Sequence, residues 1–237
     1  MEANIFHTVN SGLYVLCGDT GVLIDGIHKG YRVGFSDCPE EIINQCLNRR
    51  GLFEKLKGLL FTHCHPDHYD ESYVKQIIAC SSVPVYTPEK LILGGNTASE
   101  AGTEVLKIGS LQFYLIRTQH DGEQFKNVPH VSILVHSDGV YYFIAGDADL
   151  NESCAAVVKS ICGGGIKLSF VNPYQLLSES GRSFLRSLNP ERILLYHDSF
   201  KDDDLFEAKR IKNYALAHYP EDMTAVEAIA HMSWILN

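Results

Sequence analysis

The segment LLFTHCHPDHYD, residues 59–70, places His63, His65, Asp67 and His68 close together, directly after an apolar run. Imidazole nitrogens and carboxylate oxygens are preferred ligands of zinc and similar divalent ions. On an extended segment, residues i and i+2 point the same way, so His63 and His65 can serve one ion. Pro66 turns the chain, and Asp67 and His68 beyond it can then reach a second ion nearby. The competing readings are a solvated histidine-rich turn and a buried polar cluster. Three adjacent imidazoles gain little without a metal, and protonating them together costs repulsion.

Such a turn needs rigid elements behind it. KGLLFTH reads as a short strand covered on both faces. DESYVKQIIACSS reads as a helix with Asp70 near its cap. Upstream, GLYVLCG and GVLIDG are short strands joined at DTG, and PEEIINQCLNRRGLFEKL has helical apolar spacing. Downstream, VPVYTP reads as a strand and EVLKIGSLQFYLIRTQ as a hairpin. HVSILVHSDGVYYFIAGDAD is a hairpin turning at SDG. NESCAAVVKSIC and SGRSFLRSLN read as helices, IKLSFVNPY and RILLYHD as strands, and the tail from Asp203 to Trp234 as mostly helical. The expected architecture is α/β (α+β): two mixed sheets face to face with helices outside, forming one domain over residues 1–237.

Composition narrows the function. With 237 residues, 45% hydrophobic and 21% charged, the chain can bury a large core. No run is long enough to span a membrane, and MEANIFHTVNSG lacks the marks of a signal peptide, so a cytoplasmic location is expected. A net charge of −9 without a basic cluster disfavours nucleic acid as a partner. The acidic run KDDDLFE reads as a solvated helix start. Seven scattered cysteines without a CxxC pair read as buried small hydrophobes rather than a zinc cage.

THCHPDH resembles the signature of the metallo-β-lactamase superfamily, binuclear metallohydrolases built as a four-layer αββα sandwich. The resemblance covers residues 12–197 and implies further ligands at later strand ends. RTQHDG offers His120, FIAGDAD offers Asp147 as a bridging carboxylate, and ILLYHD offers His197. VLIDG places Asp25 as a partner behind a ligand. By this carry-over His63, His65 and His120 hold one metal, Asp67, His68 and His197 hold the other, and Asp147 bridges them. The cofactors implied are two divalent ions, zinc first, with manganese or iron as alternatives, about 3.5 Å apart. The sequence departs from the pattern after His120. Many members carry Thr-Pro-Gly there, whereas this chain has Asp121-Gly122 and a longer insertion leading to NVPHVSILV. His130 therefore competes for the ligand role, with His120 preferred.

The chemistry implied is hydrolysis of an ester, lactone, thioester, amide or phosphodiester of a small molecule. A metal-bridging hydroxide would be the nucleophile, with Asp67 as the catalytic residue that orients it. The alternatives are a phosphodiesterase or nuclease, a non-catalytic metal-binding module, and a diiron oxidoreductase. The last commonly carries glutamate where this chain has His65. Nothing in the sequence fixes the oligomeric state.

Other residues have weaker claims. His28, Lys29 and Arg32 follow Asp25 in a loop and could grip an anion. Tyr69 and Tyr196 flank ligands and could donate to a substrate. Cys64 alternates away from the metals, and Asp70 suits a helix cap. His7, His136, His218 and His231 have no evident partner in sequence. CGGGI lacks the Lys-Ser/Thr of a phosphate loop and reads as a turn.

Overall fold

Short aliphatic and aromatic runs build one sheet from the first third of the chain. The computed structural model describes residues 1–29, 34–89, 91–92, 98–100, 103–201 and 207–235. Strands β1 (Asn4–His7), β2 (Leu13–Cys17) and β3 (Thr20–Ile24) form an antiparallel meander. After helix α1 (Glu40–Asn48), β4 (Leu56–Leu60) lies parallel to β3. After helix α2 (Glu71–Ser81), β5 (Val85–Tyr86) lies parallel to β4, and β6 (Leu91–Ile92) closes this edge.

The second sheet begins as antiparallel strands β7 (Ala98–Glu100), β8 (Thr103–Ile108), β9 (Leu111–Thr118), β10 (His130–Ser137) and β11 (Val140–Ile144). Helical crossovers then make parallel pairs. The order is α3 (Glu152–Cys162), β12 (Ile166–Val171), α4 (Pro173–Leu177), α5 (Glu179–Leu188), β13 (Arg192–Leu195), α6 (Ala208–His218) and β14 (Val226–Ala228). Finally β15 (Ser233–Ile235) returns to pair with β1 of the first sheet.

Three apolar layers hold this arrangement. Ile5, Leu13, Val15 and Ile24 of one sheet meet Phe113, Ile133, Tyr142 and Phe170 of the other. Outside the first sheet, Leu23 and Leu59 pack on Ile42, Ile43, Val74 and Ile77 of α1 and α2. Outside the second, Phe143 and Val171 pack on Ala155, Val158, Phe184 and Leu185 of α3 and α5. The result is the αββα sandwich expected from the sequence.

Three expectations need correction. The strand read over IKLSFVNPY ends at Val171, where Asn172 caps α4 and Pro173 opens it. The helix read over residues 39–56 stops at Asn48, because Arg49 turns left-handed at φ 46° and Gly51 follows at φ 57°. A short 3-10 turn, Gly51–Phe53, then leads into β4. The tail is helical only in α6 and ends in β14 and β15. Strands of three residues have little local signature and form because β13 and β1 present open edges. Most of the acidic run, residues 202–206, and Arg32 lie outside the described residues, and α6 begins just after that run. Gly163 ends α3 at φ 63°, so CGGGI is a turn as expected. No helix among the described residues is long and apolar enough to cross a membrane.

Candidate metal centre

Buried strands stop abruptly at one edge of the sandwich, and the loops beyond them carry the chemistry. After β4, the His68 and Tyr69 amides both return to the His65 carbonyl (3.0 and 2.9 Å), folding HCHPDH into a tight turn. The loop after β3 is zipped to it by Lys29 N to Pro66 O (3.0 Å) and Asp70 N to Ile27 O (2.8 Å). Asp70 caps α2 by accepting from Tyr73 N, as its position suggested. Beyond β9 and β11, Asp121 N donates to Asp147 O and Asp149 N to Gln119 O, both at 2.8 Å, which brings His120 beside Asp147. Beyond β13, His197 adopts φ 64° and its amide donates to Asn10 O (3.1 Å).

These loops bring all seven candidate residues together. His63, His65 and His120 form one group, and Asp67, His68, Asp147 and His197 form the other. Within each group the donor atoms lie within 4.8 Å of one another. Asp147 faces both groups. Its Oδ2 is 3.7 Å from His63 Nε2, 3.5 Å from His68 Nε2 and 3.9 Å from His120 Nε2, and its Oδ1 is 3.5 Å from His197 Nε2. Asp67 Oδ2 lies 3.5 Å from His197 Nε2.

The donor set fits divalent cations. His68 Nε2 and His197 Nε2 face each other at 2.8 Å, and His120 Nε2 and His65 Nδ1 at 3.2 Å. Two imidazole nitrogens on one tetrahedral zinc sit about 3.3 Å apart, given Zn–N bonds of about 2.05 Å. His63 Nε2 is buried without a hydrogen-bond partner, a costly arrangement unless a cation takes it.

The outer nitrogens are held so that the inner ones carry lone pairs. His120 Nδ1 donates to Asp121 O (2.6 Å). Asp25, fully buried, accepts from Thr62 N (2.8 Å) and Thr62 Oγ1 (2.7 Å), and its Oδ2 lies 3.1 Å from His68 Nδ1. Since Thr62 Oγ1 gives its proton to Asp25, it accepts from His63 Nδ1 at 3.1 Å. One buried carboxylate thus orients a histidine in each group, the arrangement that tunes metal-binding imidazoles.

Sequence reasoning left His120 and His130 in competition, and the structure separates them. His130 Nε2 accepts from Asp147 N (3.0 Å), so its Nδ1 donates to Thr118 Oγ1 (2.7 Å). Both ring nitrogens are used, and His130 belongs to neither group. Gly146, at φ 59°, has no room for a side chain: a Cβ there would lie 2.8 Å from His130 Nε2 and from Thr62 Cβ. His120→Ala is expected to lower bound metal with little loss of stability. His130→Ala is expected to cost about 1–3 kcal/mol by leaving the Asp147 amide unpaired. Metal analysis beside urea denaturation of the two variants separates these effects.

Several supporting residues went unread in the sequence, although the spacing of Asn172, Pro173 and Gln175 carries a helix-start signature. Asn172 caps α4 by accepting from Gln175 N (3.0 Å) and donates through Nδ2 to Asp147 Oδ1 (3.1 Å). Gln175 Nε2 donates to the carbonyls of Gly146 (3.0 Å) and Ala148 (2.9 Å). Asn10 donates to Ser36 O (2.7 Å) and accepts from Phe200 N (2.9 Å), tying the loop that carries His197. Only a long-range view finds such anchors.

Other candidates fall elsewhere. Lys29 Nζ lies over the Tyr73 ring (4.3 Å), near Ser72 and Asp70, away from the site. The Tyr196 hydroxyl is buried and accepts from Gly146 N (3.2 Å), and Tyr69 packs on Phe61. Burial pushes the Cys64 thiol up, which disfavours a thiolate. His136 stacks on Tyr141, His218 on Tyr214, and His7 tilts against His231.

Burial pushes His7 and His28 down to about 4 and His130 to about 3 from an ordinary 6.5. Below pH 6.5 the unfolded chain binds these protons and the folded chain does not, so stability falls as pH drops toward 4. Burial also opposes charging His68, but the Asp25 and Asp147 carboxylates outweigh it and hold His68 well above 6.5, which offsets part of the loss. Urea midpoints measured in chelator are expected to fall between pH 7 and pH 5.

No protein-family model matches the chain, and a search of the curated proteins found no match. Solved structures do match. Igni18, a metallo hydrolase from the archaeon Ignicoccus hospitalis, is 14% identical over 98% of this chain and 97% of its own, with a TM-score of 0.61. The metallo-β-lactamase fold protein YhfI from Bacillus subtilis is 13% identical over 98% and 97%, with a TM-score of 0.62. CmlA, a diiron β-hydroxylase from Streptomyces venezuelae, is 12% identical over 99% of this chain and 54% of its own, with a TM-score of 0.63. Identities this low speak to architecture alone, and they agree with the sheet order and the helix layers: the chain has the metallo-β-lactamase fold.

Proposed function

We propose that the protein is a binuclear metal-dependent hydrolase of a small molecule. One observation carries the reading: seven nitrogen and oxygen donors, from the loops that follow β4, β9, β11 and β13, converge as two adjoining groups, and five of them (His65, Asp67, His120, Asp147 and His197) line a cavity of about 470 Å³. His63, His65 and His120 would hold one ion, and Asp67, His68 and His197 the other, with Asp147 between. Zinc suits the imidazole-rich set, with manganese or iron as alternatives. When bound, such a pair supplies a water acidified toward neutrality and an electrophilic seat for the substrate oxygen.

The chain's own residues do the rest. Asp67 lines the cavity, and its carboxylate accepts a hydrogen bond from the attacking water and aims it at the substrate. Asp25 keeps His63 and His68 in the required tautomers through Thr62 and directly. Asn172 holds one oxygen of Asp147. The cavity wall, with Phe35, Pro66 and Phe125 among its members, excludes water from the reacting bond.

Chromogenic carboxylic ester, thioester, amide and phosphodiester substrates, each offered to metal-loaded and chelated protein, test the reading. Metal-dependent turnover of at least one is expected. Failure on every class would favour a non-catalytic module. Nucleic acid is disfavoured by the net charge of −9, and salt-dependent binding to RNA or DNA would restore it.

A further inference from the structure

The departure that follows His120 in sequence builds one wall of the cavity. Gly122, at φ 86°, turns the chain into the 3-10 turn Glu123–Phe125. Phe125 N donates to Gly122 O and Val128 N to Phe125 O, both at 2.8 Å, which fixes the turn. The Phe125 ring then stands 4.9 Å from the His65 ring and 5.0 Å from the His120 ring. Across the cavity, the Phe35 ring lies 5.1 Å from that of His197. Tyr174, the second residue of α4, adds a third aromatic side chain. Phe125 is 37% exposed and Tyr174 47%, and large aromatic groups left open beside a cavity mark a surface that a ligand covers.

Of the charged side chains described on this wall, Asp67 and Asp147 would be offset by the two cations, which leaves Asp121. Among the described residues no lysine or arginine lines the cavity, whereas Asp67, Asp121 and Asp147 do. The Asp121 carboxylate accepts from Gly122 N (2.8 Å), which holds it in place. A carboxylate or phosphate on a substrate, away from the reacting bond, would find no guanidinium or ammonium partner and would meet Asp121. Of the basic residues close in sequence to the site, Arg117 pairs with Glu104 and Lys126 with Glu123, and Lys29 is engaged with α2.

We propose that the site takes an uncharged carboxylic acid derivative (an ester, lactone or thioester) carrying an aromatic group that packs between Phe125, Phe35 and Tyr174. This rests on the hydrolase reading above. In the reaction, water adds to the carbonyl carbon, the bond from that carbon to oxygen or sulfur breaks, and the leaving alkoxide or thiolate takes up the proton that water releases.

The test uses zinc-loaded protein and 4-nitrophenyl phenylacetate, 4-nitrophenyl acetate, mono-4-nitrophenyl succinate and bis(4-nitrophenyl) phosphate. The phenylacetate is expected to exceed the acetate about tenfold in kcat/KM and the two anions about a hundredfold. Phe125→Ala is expected to raise the phenylacetate KM about tenfold and to erase its advantage over the acetate, and Tyr174→Ala to do so in part. Turnover of either anion at or above the phenylacetate rate, or an advantage that survives both substitutions, would overturn the proposal while leaving the hydrolase reading intact. If none of the four shows zinc-dependent turnover, the hydrolase reading loses its ester and phosphodiester arms, and the thioester and amide substrates above decide it. Calorimetry with 2-phenylacetamide and succinamate then still reads the cavity: tighter binding of the amide without charge supports the proposed preference, and equal or tighter binding of succinamate overturns it.

Discussion

Asp147→Ala is expected to reduce bound zinc from two ions per chain to one or none and to lower kcat/KM by about a thousandfold, a loss of ~4 kcal/mol in transition-state stabilisation. The carboxylate reaches toward four imidazoles drawn from both groups, at 3.5 to 3.9 Å. Among the described residues no other carboxylate contacts imidazoles of both groups; Asp67 reaches only His68 and His197. Its removal leaves His63, His68, His120 and His197 without the negative charge that offsets two cations. The change should be local. Asp147 N still donates to His130, and Gln175 still holds the carbonyls of Gly146 and Ala148. Metal analysis with steady-state kinetics reads both effects, and two tightly held ions with turnover within tenfold of wild type would remove Asp147 from the bridging role.

Asp25→Ala should act in the opposite proportion, with a stability loss of about 3–5 kcal/mol. Asp25 sits in the left-handed region at φ 50°, fully buried, between β3 and the HCHPDH turn. Alanine there keeps the strained backbone, leaves Thr62 N and Thr62 Oγ1 without their acceptor and removes the carboxylate charge beside His68 Nδ1. Because Asp25 also orients His63 through Thr62, zinc affinity should fall about 10–100-fold at both positions. Denaturant melts of the apo protein isolate the stability effect, and zinc titration against a competing chelator isolates the affinity effect. Asp25→Asn, which keeps an acceptor for Thr62 but loses the charge facing His68, is expected to recover part of the stability and little of the affinity.

Legibility in the sequence followed the range of the interactions. His63, His65, Asp67 and His68 were readable because their spacing on one extended segment and the turn after it already states their geometry. Asp147, His197 and His120 were reached through the family resemblance, which points to polar residues directly after apolar strands, and the same pattern left His130 in competition with His120. Their separation depends on a hydrogen bond from Asp147 N to His130, back across the base of the β10–β11 hairpin. Asn10 and Ser36 gave no local signal, since each acts on a residue far along the chain, such as Ser36 on Ser199, and the local capping signature of Asn172 says nothing of its bond to Asp147. Phe125 lay within an insertion that the sequence marked as a departure without giving its purpose. Tyr174 sat in NPY, read only as the end of a strand. Their aromatic side chains gain meaning from the cavity they share. The helices and longer strands followed their own periodicity. The tail did not, because β14 and β15 are defined by the edges they pair with.

Diffraction from crystals grown with zinc, with data collected on both sides of the zinc absorption edge, tests the central claim most directly. Two anomalous peaks are expected, one among His63, His65 and His120 and the other among Asp67, His68 and His197, with Asp147 between them. A protein that binds no zinc under these conditions, or whose zinc lies away from these seven side chains, would contradict the account.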